Sequence, residues 1–423
     1  MVTLGSAGDL HPFLAVAREL VRRGHEVRLL SQAPYEDQVR AEGVPFVPVV
    51  DEAAHTRTLN HPLLWHPLHG FGVLWRHLAV PGIEPTCEWL GKWAQEAPDR
   101  ITVFASPLAA GARFARDRWP EQIRLLSGYT APMGLRSIED PMFLGSWRVP
   151  RWVPPVTRHA LWSLLDHWKL EPLGRGTLAR WQRHWNTPPL RSPIFGDWLH
   201  SPDGGVALYP RSFAGVPASW KARGVVQAGF PLYQPQQSAN LEPQTKDFLR
   251  QHPRVVVVYP GSAAGTEERF RDLVLPVCRD LALPCVFVGA HLKSAPAATS
   301  MGGQRDDVLF LARAPMRQLL RHASHFVHHG GIGSVALGLA AGVRQLVLAS
   351  AYDQFENAVR VEAVGGGEGY ALNRASHKRV RLSLENLATA QRPLLRESDP
   401  LIHADAGERA VRQICEALEA ARN

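Results

Sequence analysis

The chain opens with an alternation of short apolar runs and amphipathic segments that is typical of a parallel α/β domain. Val2–Leu4 is a short apolar run, and the glycine loop Gly5–Asp9 follows it. Apolar residues then recur at helical spacing from Phe13 to Val21, before the next apolar run, Glu26–Ser31. The pattern predicts a strand, a loop, a helix and a strand, which together form the βαβ unit of a parallel sheet.

The same pattern continues on both sides of a polar segment in the middle of the chain. Residues 233–244 are rich in proline, glutamine and serine, and we interpret them as a linker. Residues 1–232 would form a first domain and 245–402 a second, and a helix over 403–423 could cross back to the first. Further strands are predicted at Phe46–Val50, Ile101–Ala105, Arg124–Ser127, Arg254–Tyr259, Pro284–Val288, Val308–Leu311, Ser324–Val327 and Leu346–Ala349, and helices at Ala109–Arg118 and Thr266–Leu281.

The fold class that this order predicts is α/β, with two Rossmann-like, doubly wound domains that face each other across a cleft. In such sheets, ligands bind at the carboxyl ends of the strands.

A tryptophan-rich insertion at 130–200 interrupts the first domain. Large aromatic residues dominate protein cores, so these side chains could simply pack a helical insertion on the sheet. They could also line an acceptor pocket or a membrane-facing lip, and both interpretations can hold for different tryptophans. Seven of the thirteen tryptophans lie here: Trp147, Trp152, Trp162, Trp168, Trp181, Trp185 and Trp198.

Composition narrows the class of protein. A length of 423 residues favours two domains, and 45% hydrophobic with 20% charged residues is ordinary for a globular protein. The net charge of +8 comes from dispersed basic residues, which favours a solvated basic surface over an anionic membrane surface, and both over nucleic acid. The sequence contains no long apolar run and no signal peptide, so we expect a cytoplasmic protein. Peripheral association with the inner membrane surface is the alternative. Four cysteines without metal-ligand spacing suggest reduced, mostly buried thiols.

The most informative stretch runs from Phe326 to Ala358. A strand leads through a glycine turn directly into a helix, whose first backbone N–H groups and partial positive charge favour a phosphate. His329 and Ser334 add side-chain donors, and the glycines allow an anion to approach the backbone. The next strand would return Asp353 and Gln354 to the same rim, where a carboxylate beside an amide suits sugar hydroxyls.

This stretch resembles the C-terminal signature of family 1 glycosyltransferases, which have the GT-B fold. The resemblance covers nearly the whole chain, including the opening segment 5–27. Residues 65–75, 227–233 and 328–360 are most similar to the rhamnosyltransferases of rhamnolipid synthesis, which make mono-rhamnolipid from a β-hydroxyacid dimer.

The resemblance implies that the first domain binds the acceptor and the second the nucleotide sugar. It also implies a role for each residue of the donor site. His329 would hold the donor diphosphate together with the backbone N–H groups of Gly331, Gly333 and Ser334. Asp353 and Gln354 would bind the sugar hydroxyls.

Two further segments would complete that donor site. Ser262, in the loop after the first strand of the second domain, would contact the diphosphate. Arg313 and Ala314 lie where relatives have an aromatic-x-Pro segment that holds the base, and the planar arginine head could stack there or simply be a surface group.

Asp9 is the first candidate for the catalytic base, since it follows the first glycine loop where relatives have a histidine or an aspartate. It could instead be the N-cap of a helix starting near His11, or fill both roles. His11 is the reserve base. An aspartate with an ordinary pKa near ~3.9 would be weak for this task unless burial raised it.

The expected function is inverting transfer of a sugar, such as rhamnose, from a dTDP- or UDP-sugar to a hydroxyl of a lipid-like acceptor such as a hydroxyalkanoyloxy-alkanoate. A polyketide, sterol or other natural product is the alternative acceptor. No cofactor or metal is expected, because the helix start and side-chain donors would replace a divalent ion. A nucleotide-sugar epimerase and a non-catalytic nucleotide-sugar-binding protein are the alternatives of other classes, and a nucleic-acid partner is not expected.

Overall fold

Two separate parallel sheets organise the chain, as a computed structural model shows. The structure describes residues 1–138, 142–235, 240–261, 266–289, 307–389 and 405–421. Unit 1 contains Met1–Tyr233 together with Gly407–Asn423, and unit 2 contains Gln234–Ala406. Each unit is an α/β domain with a Rossmann-like sheet, which confirms the predicted fold class.

In unit 1 the helices surround a parallel sheet with the order β2-β1 on one side and β3-β4-β7-β8 on the other. Val2 lies between the two parts and bridges Leu30 and Ala105. The strands are β1 (Leu29–Gln32), β2 (Phe46–Val50), β3 (Ile101–Ala105), β4 (Ile123–Tyr129), β5 (Phe143–Leu144), β6 (Trp147–Arg148), β7 (Gly205–Ala207) and β8 (Val225–Gln227). The helices are α1 (Ala7–Arg22), α2 (Glu36–Ala41), α3 (Glu52–Leu59), α4 (Gly70–Leu74), α5 (Ile83–Glu96), α6 (Ala110–Arg118), α7 (Pro155–Leu165), α8 (Glu171–Trp185), α9 (Ala218–Lys221) and, at the C-terminus, α16 (Ala406–Ala420).

Two predicted strands of unit 1 are shorter than expected. The opening run Val2–Leu4 makes bridges only at Val2, since the chain turns at Gly5, whose φ is 143°. The predicted strand Glu26–Ser31 begins only at Leu29, because its partner β2 begins at Phe46 and offers no earlier pairing.

The C-terminal helix α16 packs within unit 1. Its Ile414, Cys415 and Leu418 share one apolar cluster with α1. Glu419 at its end accepts a hydrogen bond from Arg23 at 3.0 Å, just after α1. All four cysteines of the chain are free and buried.

The insertion of unit 1 contains a hairpin (β5 and β6) followed by α7 and α8. Trp185 and Trp198 pack edge-on against Phe114 with ring centroids 5.2 Å and 4.9 Å away, so these two belong to the core. Trp152 and Trp168 are instead exposed. The insertion therefore contains both core tryptophans and surface tryptophans.

Unit 2 has a six-stranded parallel sheet with the order β11-β10-β9-β12-β13-β14, in which the path reverses between β9 and β12. Alternate valines of β9 enter apolar clusters on opposite faces, as expected for a sheet covered by helices on both sides. Its strands are β9 (Val255–Tyr259), β10 (Cys285–Val288), β11 (Val308–Leu311), β12 (Ala323–His328), β13 (Arg344–Ala349) and β14 (Gly367–Ala371). Its helices are α10 (Pro243–Gln251), α11 (Thr266–Asp280), α12 (Met316–Leu319), α13 (Ile332–Ala340), α14 (Gln354–Ala363) and α15 (His377–Thr389).

The predicted linker 233–244 differs from the structure at both ends. Tyr233 stacks on His11 within unit 1, and α10 already begins at Pro243, where a proline at the helix start is favourable. Within the described residues, no helix is both long and apolar enough to cross a membrane.

Candidate donor site and candidate base

The candidate donor site lies where the sheet of unit 2 reverses its direction. β12 pairs with β9 so that His328 is level with Tyr259, and the turns after both strands leave the sheet at the same edge. A doubly wound sheet binds ligands at such a switch point, outside the carboxyl ends of its strands. The next strand, β13, pairs with the other side of β12 and brings the loop before α14 to that edge.

The two adjacent histidines at the end of β12 have different roles. His328 is fully buried, and its Nε2 lies 2.9 Å from Gln345 Oε1 while its Nδ1 accepts from the backbone N–H of Gly330 at 3.1 Å. Both ring nitrogens are therefore used by the protein itself. His328 fixes the glycine turn and has no capacity left for a ligand.

His329 has capacity for a ligand. Its Nδ1 is buried without a partner at hydrogen-bond geometry among the described residues, while the backbone of Tyr259 lies close enough to oppose the fall in the pKa of His329. Burial lowers the pKa of His329 to about 4, so the imidazole is neutral near neutral pH. A neutral imidazole still carries one N–H, which can donate to a phosphate oxygen.

Glycines make room for the His329 ring. A Cβ on Gly261 would lie 2.8 Å from its Cε1 and Nδ1, and a Cβ on Gly331 would lie 2.5 Å from its Nε2. Gly330 is needed for a different reason, since its φ of 91° is in the left-handed region. The interpretation of this glycine turn as a close approach for an anion is therefore too broad, because packing against His329 accounts for Gly331 and backbone conformation accounts for Gly330.

Gly333 has no such packing reason. A Cβ added there would meet nothing within 4 Å. It lies in the first turn of α13, whose N-cap is Gly331 and whose first backbone N–H groups have no partner within the helix. A helix start whose N–H groups have no partner within the helix, with open space beside Gly333, suits an anion.

The loop before α14 supplies the predicted sugar-binding residues. Asp353 is the N-cap residue of α14, and the preceding Tyr352 has a φ of 55°, a strained conformation for a non-glycine residue. Gln354 Oε1 accepts from the backbone N–H groups of Ser350 and Ala351 at 2.8 Å and 3.0 Å. Since its oxygen already holds the loop, Gln354 can offer a ligand only its amide N–H groups.

Asn357 connects the two parts of the site and was not among the predicted site residues. It is fully buried, and its Nδ2 donates to Gly330 O at 2.9 Å and to Asp353 Oδ2 at 2.7 Å. The amide thereby ties the glycine turn to the carboxylate that follows β13. The sequence contained a weak signal, because a position four residues after Asp353 lies on the same side of a helix.

Of the two further segments predicted for the donor site, the structure describes only one. Ser262 lies outside the described residues. Arg313 is exposed and Ala314 half-buried, in the loop between β11 and α12. Their predicted role at the base stays a prediction.

In unit 1, Asp9 lies in the first turn of α1 and not at its N-cap. The helix begins at Ala7 with Ser6 as N-cap, earlier than the predicted start near His11. Asp9 Oδ2 accepts from the backbone N–H and the hydroxyl of Ser6 at 2.8 Å and 3.0 Å. A side chain at Gly5 would collide with this carboxylate, since its Cβ would lie 2.3 Å from Oδ2.

Burial raises the pKa of Asp9, and the two hydrogen bonds from Ser6 oppose that rise. A raised pKa makes the carboxylate a stronger base, which is the property that the sequence could not supply. His11 is a poorer candidate. Its Nε2 lies 3.0 Å from Gln38 Nε2, its ring stacks on Tyr233, and burial lowers its pKa to about 4.

Two regions of the chain match models of known protein families. Residues 1–79 match the model of the glycosyltransferase family 28 N-terminal domain, and residues 293–419 match the erythromycin biosynthesis protein CIII-like C-terminal domain. The chain is 26% identical to 4'-demethylrebeccamycin synthase of Lentzea aerocolonigenes, over 96% of this chain and 93% of that protein. It is 22% identical to a sterol 3-beta-glucosyltransferase of Kluyveromyces lactis, but it spans only 32% of that longer protein.

Solved structures show the same fold. The calicheamicin glycosyltransferase CalG4 superposes with a TM-score of 0.67 and 19% identity, covering 99% of this chain and 97% of that one. The glycosyltransferase VinC, solved in complex with dTDP, superposes with a TM-score of 0.60 and 18% identity, covering 100% and 96%. The matches support the resemblance to GT-B glycosyltransferases of family 1, while the closer resemblance to rhamnosyltransferases stays a prediction.

Proposed function

Since the chain is a glycosyltransferase, and specifically a hexosyltransferase, with the GT-B fold, we propose that it transfers a sugar, with inversion and without a metal ion, to a hydroxyl of a hydrophobic acceptor. Unit 2 binds the nucleoside diphosphate sugar and unit 1 activates the acceptor. The observation that carries this assignment is the start of α13, where unpaired backbone N–H groups, the space beside Gly333 and the neutral His329 coincide.

In the proposed reaction, the acceptor oxygen attacks the anomeric carbon of the sugar. The bond from that carbon to the diphosphate oxygen breaks, and its electron pair leaves with the nucleoside diphosphate. Asp9 takes the proton of the acceptor hydroxyl, which its raised pKa favours. His329 and the N–H groups at the start of α13 stabilise the negative charge that develops on the leaving diphosphate.

For the sugar, we propose a role for Asp353 and for the amide N–H groups of Gln354. A carboxylate accepts several hydrogen bonds, so Asp353 can accept from a hydroxyl as well as from Asn357, while Gln354 supplies donors. The pair therefore matches the hydroxyls of a hexose.

For the substrates, we propose a dTDP- or UDP-sugar, with dTDP-rhamnose first, and a lipid-like hydroxy acid as acceptor. VinC was solved with dTDP, which supports this class of donor for a protein of the same fold. A natural product or a sterol is the second candidate acceptor, since the relatives include a rebeccamycin-pathway enzyme and a sterol glucosyltransferase.

The test is to incubate the purified protein with dTDP-rhamnose or UDP-glucose in the presence of a chelator, with and without a panel of β-hydroxy acid dimers, sterols and aglycones. The proposal predicts release of nucleoside diphosphate that depends on the acceptor and a new glycoside in the mass spectrum. Isomerised donor without acceptor would instead identify an epimerase, and donor binding without turnover on any acceptor would identify a binding protein. Loss of transfer on chelation would contradict the metal-free mechanism.

A further inference from the structure

The side of helix α7 that faces the rest of unit 1 contains two buried charged residues beside the half-buried Leu161, Trp162 and Leu165. Arg158 and Asp166, eight residues apart on one side, are each only 7% exposed. Arg158 donates to the backbone oxygens of Ile138 and Arg151 at 3.0 Å and 2.6 Å. Asp166, just after the helix, accepts two hydrogen bonds from Arg136 at 2.8 Å and 2.6 Å. Charged groups thus fix this segment to the rest of unit 1.

Several large apolar side chains of this segment face solvent, among exposed polar ones. Trp152 and Val156 are each 81% exposed, Leu164 is 55% exposed and Trp168 is 73% exposed. Val156, the exposed Ala160 and Leu164 are neighbours one turn apart along α7, while Trp152 lies just before the helix and Trp168 just after it. We call Trp152, Val156, Ala160, Leu164 and Trp168 the outer stripe.

An ordinary surface helix buries most of its large apolar side chains, whereas this segment leaves two tryptophans, a valine and a leucine exposed. Single exposed apolar residues are common and need no explanation, but an aligned set that includes two tryptophans marks an interaction surface. The neighbouring hairpin adds Trp147, which is 51% exposed. Leu68 lies beside the same hairpin, against Gly145, and is 49% exposed.

The charges around the outer stripe indicate what covers it. From Met142 to Leu170 the basic residues Arg151 and Lys169 are exposed, and Arg148 is half-buried. The one acidic residue in that span, Asp166, is buried against Arg136. Exposed tryptophans among cations, without exposed carboxylates, suit the interface of a bilayer that carries anionic lipids.

We propose that the outer stripe docks unit 1 on the surface of an anionic lipid bilayer, with the segment lying in the plane of the interface. At about 1.5 Å per residue, α7 is too short to cross a bilayer and fits only this shallow position. The inward ion pair and the Arg158 hydrogen bonds keep the segment in place without the lipid. This surface goes beyond the proposed sugar transfer and does not depend on it.

The test is vesicle co-sedimentation of the full chain, without donor or acceptor, on vesicles of equal parts phosphatidylglycerol and phosphatidylcholine and on vesicles of phosphatidylcholine alone. Leu164→Ser is compared with Leu382→Ser, a leucine of unit 2 with a matching exposure of 54%. We expect Leu164→Ser to weaken binding to the anionic vesicles about fivefold and Trp152→Ser/Trp168→Ser about a hundredfold. Leu382→Ser should bind as the unchanged protein does.

Salt and lipid charge provide a second readout. Binding to the anionic vesicles should fall as salt rises, and it should be much weaker on phosphatidylcholine alone. The proposal is overturned if Leu164→Ser and Leu382→Ser bind equally well, or if no vesicle binds the unchanged protein. It is also overturned if sedimentation without lipid shows a dimer that Leu164→Ser separates into monomers, since a second copy would then cover the stripe.

Discussion

Two helices of this protein begin directly after a glycine loop at the edge of a parallel sheet, and their N-termini are filled differently. At the start of α1, Ser6 and the Asp9 carboxylate satisfy one another, so the protein supplies its own anion. At the start of α13 the cap residue is Gly331, which has no side chain, and the space beside Gly333 is open. The same local topology therefore creates a filled terminus in unit 1 and an open one in unit 2.

The difference shows that a glycine loop before a helix does not by itself define an anion site. A helix start favours negative charge, but a side chain of the protein can provide that charge as well as a ligand can. In unit 1 the internal carboxylate is the chemically interesting group, because burial raises its pKa. In unit 2 the groups available to a ligand are the first backbone N–H groups of α13, which have no partner within the helix.

The largest expected effect is at the filled terminus. Asp9→Asn should lower kcat by about 10²- to 10⁴-fold, the range for loss of a general base, while the affinity for the donor stays unchanged. Asp51→Asn is the matched control, since Asp51 also accepts a backbone N–H at a helix start of unit 1. Steady-state kinetics and calorimetric donor titration measure both variants, and equal activity of the two would reduce Asp9 to a capping residue.

The pH profile tests the same residue in a second way. Because the folded pKa of Asp9 is raised, the acidic limb of kcat/KM should lie above the ordinary range of aspartate. Ser6→Ala removes one of the two hydrogen bonds that lower the pKa, so it should move that limb to still higher pH. An ionised group with a raised pKa contributes no stability at neutral pH, so Asp9→Asn should lose little stability through its charge. An unmoved acidic limb in Ser6→Ala would contradict this assignment.

At the open terminus, the adjacent histidines should separate function from stability. His329→Ala should lower kcat/KM by at least about 100-fold, the scale for losing a donor to the leaving group, with little change in Tm. His328→Ala should lower Tm clearly, because it leaves Gln345 and the Gly330 N–H without their buried partner. The assignment fails if His329→Ala has near-normal turnover in the same assay.

A smaller effect is expected where the two parts of the donor site are joined. Asn357→Asp keeps the shape but places a carboxylate against Asp353 Oδ2 and Gly330 O, which are both acceptors. We expect the KM for the donor to rise about tenfold, since a lost buried hydrogen bond costs about 1–3 kcal/mol. Thermal melting with and without nucleoside diphosphate checks the effect, and a fall in Tm without any change in donor KM would make Asn357 a purely structural residue.

The sequence predicts the sheet of unit 2 well, because strands buried on both faces are continuous apolar runs such as β9, whose four valines are all buried. It also predicts the donor stretch, since residues from His329 to Gln354 lie close together along the chain. It does not reveal that Gln354 uses its oxygen internally or that Asn357 reaches Gly330, because these depend on side-chain direction.

Other features depend on tertiary contacts, which the pattern of residues along the chain does not show. The spacing of Ser6 and Asp9 is that of a capping box, a signal that could have placed the start of α1 correctly. The inward side of α7 could not be predicted, since an apolar stripe at helical spacing ordinarily faces the core. The partners of Arg158 and Asp166 show which side of this helix faces the rest of unit 1.

The most direct test of the open terminus uses one substitution at two glycines. Gly333→Ala and Gly176→Ala each add a methyl group in a helix where nothing lies within 4 Å, so each should stabilise the fold by up to about 1 kcal/mol. Calorimetric titration with dTDP and UDP should then show about tenfold weaker binding for Gly333→Ala and unchanged binding for Gly176→Ala. Equal affinities in the two variants would contradict the placement of the diphosphate at the start of α13.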